Sequence, residues 1–411
     1  MAVCGLDSSC SGESQNLSPG RQPESKLRGL ELMRTGAVIL NIVDPVSAAY
    51  FQVKYVSGSL ATREPAQLAI ALALEASLRV ATGTKSPTKS WKLLEKAEQI
   101  AERLGDQNAI GVIYLCRTYL DYLLGCVPDG IRDGRKTIEY LRQNCTGVSW
   151  ELTAGYVLLF WCTCWAGYVD EIRDLLPHLL REGAARGDVN VEVSLRLLSF
   201  VHYYYLSDDQ PNECLSESDQ ALGKWSHSGF HLQHYGALFS YVESYLYMGD
   251  YTRAREYLLK VWEPMSKSFI LRWQILTLMA FFLRGRVALA CWLEDRGNLP
   301  LSREVKYYAK RLKGIRSPWG NPMASVLLAG IAVGEGRRQD GAALLEESSH
   351  KLEKISLHAY SSAAAYLSGI LREDAQGSAQ VNATEQFLKS HRVRNPEAFL
   401  RMLLPGKWLQ R

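Results

Sequence analysis

Hydrophobic and polar residues alternate along this chain in two textures. The segment "WKLLEKAEQIAERLGD" places Leu93, Leu94, Ala97, Ile100, Ala101 and Leu104 at helical spacing on one face. Glu95, Lys96, Glu98, Glu102 and Arg103 fall mainly on the opposite face, and Gly105 follows where a helix would end in a left-handed cap. "VDEIRDLLPHLLREGAARGD" repeats the design with Ile172, Leu175, Leu176, Leu179 and Leu180 inward; Pro177 removes one backbone bond and is expected to bend that helix. The segments between are greasier: "SWELTAGYVLLFWCTCWAG" and "VEVSLRLLSFVHYYYL" each read as one helix, apolar on most sides. Such a helix must be packed on most sides. The pattern predicts paired helices, one inner and one outer.

Small turn residues set the period. Gly105, Gly147, Gly187 and Gly229 are separated by 42, 40 and 42 residues, and Gly125, Gly167, Ser207 and Gly249 by the same intervals. A turn arrives about every twenty positions and the unit is about 41 residues, the mark of stacked helical hairpins. Residues 1–26, rich in Ser, Gly, Pro and Gln, are expected to be disordered, because they cannot bury enough surface to offset the entropy of ordering. Residues 27–85 hold two or three helices. Regular hairpins fill 86–266. Residues 267–404 hold a longer helix over Phe269 to Glu294, a loop at "DRGNLP" and further hairpins, and 405–411 form a tail. Strand-like alternation is nearly absent. The expected fold is all-α, a superhelical array of antiparallel helical hairpins that leaves an extended concave surface.

Within Phe230 to Trp262, Tyr245, Gly249, Tyr251 and Ala254 fall where a tetratricopeptide motif has Tyr, Gly, Tyr and Ala. Glycine permits the tight turn, and alanine lets two helix axes approach. Gly125 and Gly167 keep the turn, with Gly130 and Ile172 in place of the alanine, and the period is longer, so the array is tetratricopeptide-like. Four stretches resemble one bacterial group more widely: "VDPVSAAYFQVKYVSGSLATREPAQLAIALALEAS", "NCTGVSWELTAG", "GFHLQHYGAL" and "RVRNPEAFLRMLLPG". That group is the large serine/threonine protein kinases in which a kinase domain, sometimes with an AAA-type ATPase, precedes a helical-repeat tail. The resemblance covers about Leu30 to Gly406 and concerns the tail alone. It implies an interaction or regulatory role beside a kinase. No residue inherits catalysis: the chain has no His-Arg-Asp, no Asp-Phe-Gly and no Gly-x-Gly-x-x-Gly.

Composition narrows the setting. Of 411 residues 47% are hydrophobic and 22% charged, enough for a substantial core. A net charge of +4, spread among acids on the same helices, argues against a nucleic-acid partner. Nine cysteines, irregularly spaced, read as reduced thiols in the cytoplasm rather than a secreted disulfide framework. The first residues lack an apolar signal-peptide core. Leu152 to Val169 is uncharged and long enough to span a bilayer, but it reads as a buried repeat helix, because helices of equal length beside it have polar faces; no membrane partner is expected.

Candidate chemistry is sparse. His231 and His234 would share a helix face as metal ligands do, with His227 across a turn; a site needs three or four ligands, and a capping and packing role accounts for the pair. Cys162 and Cys164 point to different sides of one helix and read as core thiols, while Cys145 sits at a turn with no base beside it. "GTKSPTKS" lacks the spacing of a phosphate loop and reads as a helix start capped by Ser86 or Ser90. No catalytic residue, cofactor or metal is expected. The candidate partner-binding residues are Trp150, Tyr204, His231, His234 and Tyr235; Gly105, Gly125, Gly147, Gly167, Gly187, Gly229, Gly249 and Ala254 are structural. Three readings follow. The chain is a scaffold for protein or peptide partners, among them a kinase or AAA-type ATPase domain. Alternatively it is the detached tail of a kinase encoded elsewhere, or a repeat domain that senses a small ligand.

Overall fold

The computed structural model describes residues 23–42, 44–83, 86–198 and 200–408. The disorder expected over 1–26 falls, as far as residue 22, outside the described residues, as does the end of the 405–411 tail. The described residues form twenty α-helices packed as sequential antiparallel neighbours, with no strand among them.

The first group is α1 (Glu24–Ile39), α2 (Pro45–Thr62) and α3 (Pro65–Ala81). The middle of the chain forms α4 (Pro87–Leu104), α5 (Gln107–Leu124), α6 (Val127–Asn144), α7 (Ser149–Ala166), α8 (Val169–Ala185), α9 (Val189–Leu197), α10 (Val201–Ser207), α11 (Pro211–Gly223), α12 (Leu232–Met248) and α13 (Tyr251–Lys267). A short 3-10 turn, Phe269–Arg272, precedes α14 (Gln274–Glu294). Then come α15 (Leu299–Lys313), α16 (Gly320–Gly334), α17 (Arg338–Lys354), α18 (His358–Arg372), α19 (Ala375–Ser390) and α20 (Pro396–Leu403).

Local chemistry explains many of these boundaries. Asp44, Asp106, Asp188, Asp250, Asp374 and Asn395 each stand at an N-cap and accept a backbone N–H of the first turn. Proline opens α2, α3, α4, α11 and α20, where its missing N–H is harmless. The seven turn glycines from Gly105 to Gly249 all take positive φ, between 65° and 86°. The apolar member of each pair also packs on the next apolar member: α3 on α5, α5 on α7, α7 on α9 and α9 on α12. The two textures in the sequence are these two layers. α7, uncharged after Glu151, is buried in the core along most of its length. By length and composition α14 is apolar enough to cross a membrane, yet 83% of its apolar window is buried within the protein.

Two sequence expectations are corrected. "VEVSLRLLSFVHYYYL" is two helices, α9 and α10, separated at Phe200, which takes a left-handed φ of 50°. The break is held from outside: the Trp161 indole donates to Leu198 O, and Gly236 of α12 lies so close to the Leu197 carbonyl that a Cβ there would overlap it. The long helix expected from Phe269 starts at Gln274, because Trp273 is extended and interrupts it after the 3-10 turn. Pro177 lies inside α8, as the sequence pattern predicts.

The chain also folds back on itself. α18 packs on α7 and α20 on α12. Arg286 of α14, 1% exposed, ion-pairs with the equally buried Glu243 of α12 and donates to Met402 O (2.9 Å) and Leu403 O (3.0 Å). His202 Nε2 of α10 lies 2.8 Å from the other Glu243 oxygen. Burial pushes the Glu243 carboxyl upward, but Arg286 and His202 outweigh it and hold it below its ordinary value. Around this core, Arg401 donates to Tyr247 O, Arg394 N–H to Ser207 O, and the Gly406 N–H to the Tyr251 hydroxyl. The stretch "RVRNPEAFLRMLLPG" is therefore a clasp over α10 and α12. This part of the array is covered by the chain's own end, so the concave surface expected along the whole array is not free here.

A second return contact fixes the other side. Trp319, fully buried, meets Trp165 of α7 edge-on with ring centroids 4.2 Å apart, and lies against Gly125 at the end of α5. Gly125 and Gly105 both have positive φ (79° and 65°), but a Cβ at Gly125 would overlap the Trp319 indole, whereas nothing lies within 4 Å of one at Gly105. Gly105→Ala should lose about 1–2 kcal/mol from backbone strain alone, and Gly125→Ala at least about twice that. Urea unfolding of both variants measures this; equal losses would mean that Trp319 does not press on Gly125.

Candidate ligand-binding site

The inner helices do not close completely on each other. Residues of α1, α2, α3, α5, α7, α9 and α12, with Trp273, enclose a cavity of about 200 Å³. Its wall is mostly aliphatic and aromatic, with Ile70, Leu115, Val157, Leu158, Trp161 and Trp273 among its members. An apolar cavity of roughly 150 Å³ already accommodates a benzene ring.

Polar atoms in this wall lack partners. Asn41 Oδ1, Gln52 Oε1, the Tyr119 hydroxyl and both ends of the Gln233 carboxamide are buried with no hydrogen bond. Gln233 is fully buried and Gln52 is 3% exposed. Gln52 Nε2 donates to Ala71 O at 3.0 Å, and its oxygen is the atom left without a partner. Leaving such groups unpaired costs about 1–3 kcal/mol each. Native interiors pair the great majority of them. Burial pushes the Tyr119 hydroxyl far up and the Cys116 thiol, also in the wall, up to about 12, so both keep their protons at neutral pH. Arg34 and Glu151, the two charged side chains of the lining, are partly exposed.

Of the residues chosen from sequence, Trp150 lies in the cavity wall. Tyr235 is buried, is not part of the lining and donates to Leu276 O at 2.8 Å. Tyr204 lies outside the cavity, packed edge-on against Tyr205. His231 is the N-cap of α12 and His234 lies in its first turn, with their ring centroids 5.4 Å apart. The His231 N–H donates to His234 Nδ1 (3.0 Å), and the Trp225 indole donates to His231 Nδ1 (3.1 Å). Burial lowers the pKa of both, and His231 and His227 add to the lowering at His234, so the neutral rings act as acceptors. They fix the start of α12, and Leu232 and Gln233, the next two residues, line the cavity. Ala254 is fully buried in α13.

Sequence reasoning missed Gln233, Gln52, Asn41 and Tyr119. The signal available was an uncharged polar residue on an otherwise greasy helix, as in "YFQVKY" and "FHLQHYGAL". The cysteines behave as expected for core thiols: burial pushes Cys162 and Cys164 well up. Cys145 donates to Gln107 O (3.2 Å), and burial raises its pKa too, with Glu151 and Asp106 adding to the effect. Ser86 stands at the N-cap position of α4.

Among the described residues, one group has donor atoms near enough for a metal: those of Asp121, Cys126 and Asp129 lie within 4.8 Å of one another. They surround the N-terminus of α6, whose dipole favours anions over cations. Arg132 already pairs with Asp129 (2.6 Å) and Asp133 (2.8 Å). A proton suits this site better than a metal: burial, then the charges of Asp133 and Asp129, push the Asp121 carboxyl far above the usual range.

Neither a family model nor a curated protein sequence matches the chain.

The raised Asp121 carboxyl has a consequence for stability. Above the ordinary aspartate range the folded state holds a proton that the unfolded state has released, so stability falls as pH rises from about 4 toward neutrality and beyond. Asp121→Asn, which keeps the shape without the charge, should unfold at higher denaturant than the parent at pH 8, by on the order of 1–2 kcal/mol, and match it near pH 4. Parallel pH dependence in the two proteins would contradict this assignment.

Proposed function

We propose that this chain is a non-catalytic regulatory module that senses a small ligand in the cavity between its inner helices. The observation that carries the reading is the set of unpaired polar atoms in an otherwise apolar wall. Bound molecules commonly lie in apolar clefts with a few placed polar groups, and a ligand that pairs with such atoms stabilises the fold. We read the helix pairs as a tetratricopeptide-like superhelical array with a unit of about 41 residues. The positive φ of its turn glycines and the buried Ala254 support that reading. The setting in bacterial serine/threonine kinase signalling, in the cytoplasm, rests on the resemblance of its sequence stretches and on its cysteine usage; the detached kinase tail is the same module separated from its catalytic domain.

Ligand occupancy is measurable as stabilisation. In a thermal-shift screen of small metabolites, at least one compound should raise the Tm of the parent and leave Ala154→Trp, which fills the cavity, unmoved. A folded parent that no compound stabilises would count against the proposal.

One observation favours the scaffold reading beside it. On α2, Val46, Tyr50, Val53 and Leu60 are 55%, 60%, 46% and 39% exposed and fall at helical spacing. A row of large apolar side chains left in solvent suits a helical partner, the kinase or ATPase domain of the scaffold reading. Affinity capture from the source cell should lose its main partner when Tyr50 and Val53 are both changed to Lys. Unchanged capture would contradict the α2 interface.

A further inference from the structure

We infer that the ligand of the inner cavity is an uncharged molecule: a mainly apolar body with one polar group that both donates and accepts hydrogen bonds, such as a carboxamide, lactam or hydroxyl. This rests on the reading of the cavity as a ligand site and specifies its chemistry.

Charge is excluded by the wall. The unpaired groups, Asn41, Gln52, Tyr119 and Gln233, are all neutral. The charged members of the lining, Arg34 and Glu151, are both partly exposed, so neither offers a desolvated counter-charge. An ion placed against the buried groups would lose its hydration and meet no opposite charge. The polarity of the unpaired atoms then sets the ligand's polar group. Asn41 Oδ1 and Gln52 Oε1 are acceptors and call for an N–H or O–H from the ligand. Gln233 is free at both ends, with a carbonyl that needs a donor and an amide nitrogen that needs an acceptor, and Tyr119 can serve either way. A primary carboxamide, with two N–H groups and a carbonyl, has enough donors and acceptors for one hydrogen bond to each of the four side chains; a ketone, an ether or a hydrocarbon leaves the acceptors bare. The first turn of α12 delivers Gln233 to this position, and the His231–His234 and Trp225–His231 bonds hold that turn. The histidines position Gln233 and do not themselves form part of the cavity wall.

The test uses N-phenyl-1-naphthylamine, a neutral apolar fluorophore with one N–H, and three competitors with the same tail: octanamide, octanoate and octylammonium. The full chain should bind one equivalent of the fluorophore with enhanced, blue-shifted emission. Octanamide should displace it at concentrations at least about tenfold below either charged analogue. Gln233→Leu and, separately, Gln52→Leu should retain the fluorophore and narrow that preference. Two folding checks, circular dichroism and fluorophore stoichiometry, accompany each variant. Displacement by octanoate or octylammonium at equal or lower concentration overturns the assigned chemistry while leaving a ligand site in place. The chemistry is equally overturned if octanamide is preferred to the same degree in both folded variants. Absence of saturable fluorophore binding to the parent removes the ligand site itself.

Discussion

Arg286 is the group on which the arrangement depends. A guanidinium with 1% exposure is tolerable only with its charge answered, and the answers come from three places: Glu243 on α12, the carbonyls of Met402 and Leu403 at the end of the chain, and the aromatic faces of Phe282 and Tyr360; its Nε alone has no hydrogen-bond partner. Its removal would leave Glu243 buried and only His202 beside it, a change of the kind that costs about 3–5 kcal/mol. Through this one side chain α14 and the end of the chain are tied to the middle of the array. The ion pairs around it, such as His391 with Asp170 and Arg392 with Asp174, are more exposed and guide the clasp more than they strengthen it.

This closure divides the inner face of the array. Where α18 and α20 return, the chain covers itself and Trp319 and Phe399 fill the space against Trp165 and Tyr203. Toward the start of the chain the 3-10 turn before α14 meets α2 and Trp273 meets Tyr119, and there the cavity remains. The same stacking that hides the greasy sides of α5, α7 and α12 brings their few uncharged polar side chains into one wall, where backbone N–H groups are already used in helical hydrogen bonds.

Much of this was legible in the sequence because it is local. Period, turn glycines and the contrast between "WKLLEKAEQIAERLGD" and "SWELTAGYVLLFWCTCWAG" depend only on neighbours along the chain, and they led to the layers and the hairpins. The break at Phe200 was not legible, since Trp161 and Gly236, distant in sequence, impose it. Nor was the clasp, whose contacts join residues from 116 to 155 positions apart and more. The cavity was reached only at Trp150. The histidine pair drew attention for its chemistry, whereas the residue between them, Gln233, carries the unpaired atoms; a lone buried carboxamide has no spacing signature.

The central claim is that the wall between the inner helices is built to pair with something outside the chain. A high-resolution crystal structure of the protein grown with a saturating neutral amide tests it directly. The account predicts density for that molecule between α5, α7 and α12, within hydrogen-bond distance of Gln233 and Gln52. A collapsed wall, with Gln233 and Tyr119 bonded to other protein groups and no room for a guest, would contradict it.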